Sequence, residues 1–181
     1  MQPITRVVGV AVAVVVMGCQ TNSAPAAGGG GGVTDADRAA ITDTATAIMN
    51  SVLSGAAHMK GADVAARLAK DSVVITDNGV ESTSADAMAA QADSLYAILS
   101  SVNGKATAIN VKVLSPEAAF VHASLKFDLT TKAGKSVNAN GVVTALVQRR
   151  SGTWAITDFH ESEADIATVM AALTPPASGK K

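Results

Sequence analysis

The sequence predicts an α+β fold, with helices segregated to one face of a curved antiparallel sheet. Apolar residues recur at helical spacing through the first part of the folded region, and after Asn103-Gly104 they alternate with polar residues at period 2. The order matters as well. Helices come first and strands follow in series, joined by short turns, so the helices must share one side of the sheet. With 181 residues, 48% of them hydrophobic and 16% charged, the chain can bury the core of one domain and is neither disordered nor a coiled coil. Aromatic content of 3% and a net charge of -1 speak against nucleic-acid binding by stacking or counterion release. A single Cys excludes a disulfide framework and a Cys-rich zinc site.

Each element has its own signal. Thr34 with Asp37 forms a capping-box start, and Ile41, Ala45, Ile48 and Val52 place one apolar stripe along the first helix, which Ser54-Gly55 should end. A short helix around Asp63 to Ala69 follows, then a strand at Val73-Val74-Ile75 closed by the turn Asp77-Asn78-Gly79. Ser84 caps a third helix with Met88, Ala92, Leu95 and Leu99 on one stripe. Ile109, Val111 and Val113 then alternate, Ser115-Pro116 turns, and Val121 to Leu129 alternates against His122, Ser124, Lys126 and Asp128. Ala133-Gly134 and Ser151-Gly152 separate two further strands, near Val137 to Arg150 and Thr153 to Glu161. Ser162 with Asp165 should cap a last helix bearing Ile166, Val169, Met170 and Leu173.

The N-terminus reads as a targeting segment. Val7 to Met17 has no polar side chain and matches a secretory h-region, too short to span a bilayer. Val16-Met17-Gly18-Cys19 resembles the lipobox of bacterial lipoproteins, which implies cleavage before Cys19 and acylation of its thiol. Residues 1–18 are then a signal peptide, 19–33, with glycines from Gly28 to Gly32, a flexible linker, 34–173 the domain and 174–181 a disordered tail. The expected location is the cell envelope, outside the cytoplasm, in the outer membrane if the host has one, with membrane contact through the lipid anchor only.

The order of elements, together with Trp154, His160 and Ser162 in the spacing W-x5-H-x-S, resembles the SnoaL-like branch of the NTF2-like superfamily. The resemblance implies a cone-shaped roll with a pocket between sheet and helices, usually in a homodimer. Its members include enzymes and non-catalytic binding domains, so fold alone does not choose a function. Ketosteroid isomerases on this fold need an Asp base and a Tyr plus a protonated Asp that stabilise an enolate. Leu68-Ala69-Lys70-Asp71 resembles the approach to that base and puts its position on Thr76, one short of Asp77. The Tyr position falls on Ile48 or Met49 and the acid on Thr144 or Leu146, so no catalytic residue is assigned. Asp77 would need a strand bulge to turn inward, and is expected to open its turn with the carboxylate on backbone N–H groups.

Two arguments about the sheet disagree. Burial points the apolar row Val121 to Leu129 at the helices. Against this, Glu117-Ala118-Ala119-Phe120 resembles the isomerase strand in a register that points His122, Ser124 and Lys126 inward, and this is the expectation adopted. The Ser151-Gly152 turn pairs Leu146 with Thr157 and Val147 with Ile156. Candidate pocket residues are therefore Thr76, Asp77, Tyr96, His122, Ser124, Thr144 and Thr157. Trp154, Ile156 and His160 fall on the outer face, as dimer or structural residues. Ala133-Gly134-Lys135-Ser136 is a hairpin turn rather than a P-loop, no G-x-S-x-G is present, and the histidines are too scattered for a compact metal motif. No metal or other cofactor is expected, although a site assembled from His122, His160 and Asp128 or Glu161 stays open. The leading functional expectation is a membrane-tethered, non-catalytic domain binding a small apolar or amphipathic ligand. The alternatives are a protein-binding or dimerisation module with a filled cavity, and an isomerase- or cyclase-like enzyme.

Overall fold

The computed structural model describes residues 32–164 and 166–174. The expected signal peptide, Cys19, nearly all of the expected linker and most of the expected tail lie outside the described residues. Helix α1 (Asp35–Ala57) starts where Thr34 accepts a hydrogen bond from the Asp37 N–H, a cap worth about 1 kcal/mol. It runs through Ser54-Gly55 instead of ending there. Gly55 serves a different purpose: a Cβ would sit 2.6 Å from the Asp63 carbonyl oxygen, so only glycine lets α2 (Gly61–Ala65) lie this close.

β1 (Val74–Asp77) and β2 (Val80–Ser82) form a hairpin, with Asn78 and Gly79 both at positive φ, the geometry a two-residue turn demands. Ser84 caps α3 (Ala85–Tyr96). Leu99 is not part of that helix. It opens β3 (Leu99–Ser115), which passes straight through Asn103-Gly104, where a break in pattern suggested a boundary. A Cβ at Gly104 would lie 2.7 Å from the Phe127 ring, so the glycine marks a close side-chain approach.

β4 (Ala118–Thr131), β5 (Ser136–Arg150) and β6 (Thr153–Ala164) complete the meander, and α4 (Ile166–Leu173) follows. Ser162 is a strand residue and not a helix cap, because β6 continues past Glu161. The sheet order is β2-β1-β6-β5-β4-β3, antiparallel except where β1 runs parallel to β6.

One face of this sheet wraps α1. Val121, Ala123 and Leu125 of β4, Val143, Ala145 and Val147 of β5, and Ile156 and Phe159 of β6 are buried against Ile41, Ala45, Ile48, Met49 and Val52. Each fully buried Val, Ile, Leu, Met or Phe side chain contributes roughly 1.5–3 kcal/mol. The burial argument therefore wins over the isomerase-like register, and His122 points outward. α4 seals a second cluster with Val169 and Leu173 on Leu99, Val102, Leu129, Val137 and Ala139.

The last hairpin carries a further correction. Arg150 pairs with Thr153 and Val147 with Ile156, but Leu146 pairs with Asp158, because Thr157 is an extra, bulged residue. Ile156 is thus a core residue. Trp154 packs at the edge of the same core, with the Arg149 guanidinium 5.9 Å from its ring centroid. Val121, Leu125, Val147 and Ile156 are buried in the chain's own core, so this row does not need a second subunit to cover it.

Candidate ligand cavity

Small residues leave the interior of the cone unfilled. A cavity of about 620 Å³ lies among α1, α3, α4 and the inner sheet face, bounded on the sheet by Leu125, Phe127, Val143 and Phe159. Val80, Leu95, Ile98 and Met170 border it while remaining exposed, so its rim is apolar as well.

Its polar groups are few and lie together. Strand alternation puts Asp77 on the same inner face as the buried Ile75, with no bulge required. Pairing then aligns Val143, Glu161 and Asp77 in one cross-strand row, and Glu163 stands opposite Gly141 in the next. All three carboxyl groups line the cavity. The Asp77 carboxylate does not bond the turn backbone as expected. It accepts from Asn78 Nδ2 and Gln91 Nε2, each at 2.8 Å. Asn78 also donates to the Glu163 carboxylate and accepts from the Glu163 N–H at 2.9 Å, fastening the hairpin to β6.

Glu161 receives no such donor among the described hydrogen bonds. Burial pushes its carboxyl up to about 8, and the negative charges of Asp77 and then Glu163 push the same way. Burial also raises Asp77, opposed by the hydrogen bonds from Asn78 and Gln91. Glu163 is raised by burial and by Asp77, opposed by Asn78. Tyr96, on the last turn of α3, is pushed up to about 12 by burial, then by the charges of Glu161 and Asp93.

Of the sequence-predicted pocket residues, Asp77 and Tyr96 line the cavity. Thr76, His122, Ser124, Thr144 and Thr157 do not. Asn110, His122, Thr144, His160 and Thr76 form a continuous row on the outer face, since each is the cross-strand partner of the next. The bulged Thr157 donates to Gln148 Oε1 at 2.9 Å, away from the cavity. His122 and His160 therefore point away from Glu161, and the open metal set does not converge. Sequence reasoning missed Glu161 and Glu163 as cavity residues. The signal was present: counting in twos from Phe159 places both carboxylates on its face.

No protein-family model matches the chain, and no curated protein matches it in sequence. Solved structures do match in shape. A hexachlorocyclohexane dehydrochlorinase of Novosphingobium barchaimii superposes with a TM-score of 0.64 at 14% identity, covering 72% of this chain and 90% of that one. A Novosphingobium aromaticivorans protein assigned as a scytalone dehydratase gives 0.64 at 11%, covering 72% and 89%. A Mycobacterium tuberculosis protein of unknown function gives 0.64 at 17%, covering 79% and 92%. The fold is the NTF2-like cone. At these identities the likeness extends to the backbone arrangement alone. Trp154, His160 and Ser162, the motif residues, all lie outside the cavity, whereas Glu161 between them lies inside it.

Proposed function

We propose that this domain binds a small, largely apolar molecule inside the cone, and that acylated Cys19 tethers it outside the cytoplasm at a membrane. The observation that carries the binding reading is the cavity: about 620 Å³, apolar over most of its wall, with its polar groups gathered beside the β1–β2 turn. An unfilled interior of this size speaks against a module whose cavity is closed by its own side chains. The exposed apolar rim of Val80, Leu95, Ile98 and Met170 suits entry of an apolar ligand. Native mass spectrometry of the purified chain should show a co-purified small molecule that is lost in Ala92→Trp, which fills the cavity. A chain that stays ligand-free and fails to take up any apolar probe would overturn the reading. For the tether, Cys19→Ser should abolish membrane fractionation or leave the leader uncleaved.

One observation favours a second reading, acid–base catalysis. Asp77 and Glu161 face the cavity with raised pKa values, which suits groups that exchange protons with a bound substrate. Against it, Ile48, Met49, Thr144 and Leu146 supply no enolate-stabilising pair. Turnover of a 3-oxo-Δ5-steroid abolished by Asp77→Asn would decide for catalysis.

A further inference from the structure

We infer that the cavity selects lipophilic amines, holding the ammonium group against Glu161 and its neighbours Asp77 and Glu163 while the apolar part fills the cone. The inference rests on the binding reading above and specifies its ligand. Three carboxyl groups line one side of the cavity, and among the described residues no Lys, Arg or His lines it. α1, α2, β2, β3, β4, β5 and α4 present only apolar side chains to it, and α3 adds the neutral Gln91, Ser94 and Tyr96. The titratable groups facing Glu161 are therefore Asp77 from β1, Glu163 from β6 and Tyr96 from α3, with Asp93 acting behind Tyr96. None of them is cationic at neutral pH.

The donors are distributed unevenly among the three acids. Asn78 and Gln91 satisfy Asp77, and Asn78 also satisfies Glu163. Glu161 is half-buried, its carboxyl group has no hydrogen-bond partner among the described residues although its backbone carbonyl accepts from the Asn78 N–H, and its side chain lines the cavity. A carboxylate in that position lacks a countercharge, and a buried charge is stable only when paired. A protonated amine supplies both the charge and the N–H donors, and the apolar wall desolvates the rest of the ligand. The Tyr96 ring, on the cavity wall, adds a surface that attracts a cation.

The reading has a proton signature. Without ligand, Glu161 holds its proton up to about pH 8. An ammonium ion favours the ionised form, so binding near pH 7 must release a proton from Glu161. An alkyl amine itself stays charged to about pH 10. Amine affinity must therefore rise with pH through the neutral range.

The test is titration calorimetry on the full chain with an isosteric set: 4-phenylbutylamine, 4-phenylbutan-1-ol and 4-phenylbutyrate. The amine should bind at least tenfold more tightly than the alcohol at pH 8.5, and the carboxylate should bind most weakly. Amine affinity should rise severalfold from pH 6 to pH 8.5, with proton release seen by comparing two buffers of different ionisation enthalpy. Glu161→Gln should remove the pH dependence and lower amine affinity about tenfold relative to alcohol affinity, with an unchanged circular-dichroism spectrum showing that the variant is folded, whereas His160→Ala, outside the cavity, should leave both affinities unchanged. Alcohol binding equal to or tighter than amine binding would overturn the amine inference and leave the apolar-binding reading standing. No binding of any of the three would overturn both.

Discussion

Asp77 and Glu161 stand side by side on the inner face of the sheet, partners across its parallel strand pair, with the Asn78 amide on the first carboxyl group and, among the described residues, no donor on the second. Two like charges directly opposed across strands destabilise each other. The pair is tolerable because burial keeps Glu161 protonated at neutral pH while Asn78 and Gln91 stabilise the Asp77 carboxylate.

That arrangement sets how stability follows pH. Glu161 loses its proton near 4.5 in the unfolded chain and near about 8 in the folded one. Below pH 4.5 both states hold the proton and the contribution is fully present. Between these values only the unfolded chain releases it, so stability falls as pH rises and levels off above about 8. The raised Asp77 and Glu163 act in the same direction. Thermal unfolding followed from pH 5 to pH 9 should show a falling Tm, and Glu161→Gln should flatten most of that slope.

Asn78 gives a second prediction. Its amide serves both Asp77 and Glu163, and its φ of 48° lies where Asn is tolerated and Ala is not. Asn78→Ala should cost about 2–3 kcal/mol in denaturant unfolding, from lost hydrogen bonds and backbone strain together. Asn78→Gly keeps the backbone relaxed and should cost about 1–2 kcal/mol, isolating the amide.

The sequence made the fold legible where periodicity was long and unbroken. The α1 stripe and the alternation of Val121 to Leu129 both mark their elements, although the register adopted from the isomerase resemblance turns the wrong face of β4 inward and burial alone decides it. The sequence failed where one residue type serves two purposes. Gly55 and Gly104 read as breaks, yet both permit close approach inside a helix and a strand. Leu99 continued a helical stripe by spacing but opens β3. The site was half legible. Asp77 is legible as a candidate, but the phase of a four-residue strand is set only by its partner, which puts Phe159 beside Ile75 and makes a bulge unnecessary. Glu161 and Glu163 went unassigned because charged residues near a strand end ordinarily face water. Counting in twos from Phe159 turns them inward instead, and the pairing to Val143 and Gly141 bears that out.

Gly104 also predicts the cavity's sensitivity to packing. Replacing it with Ala puts a Cβ 2.7 Å from Phe127 Cε1 and 2.8 Å from Cδ1, so the ring must move toward the space it borders. Gly104→Ala should cost about 1–3 kcal/mol by overpacking, measured by urea unfolding. It should also weaken an apolar probe that the unmodified cavity admits.

The outer polar row supplies the control that separates cavity residues from sheet-surface residues. His122 and His160 flank Thr144 on the face opposite Glu161, and both are exposed. His122→Ala and His160→Ala should each change stability by no more than about 0.5 kcal/mol, as surface substitutions away from special features do. Neither should alter 4-phenylbutylamine affinity by more than about twofold, because neither touches the cavity. A tenfold loss in His122→Ala alone would mean that ligand binds the convex face, and would restore the strand register that the isomerase resemblance implies.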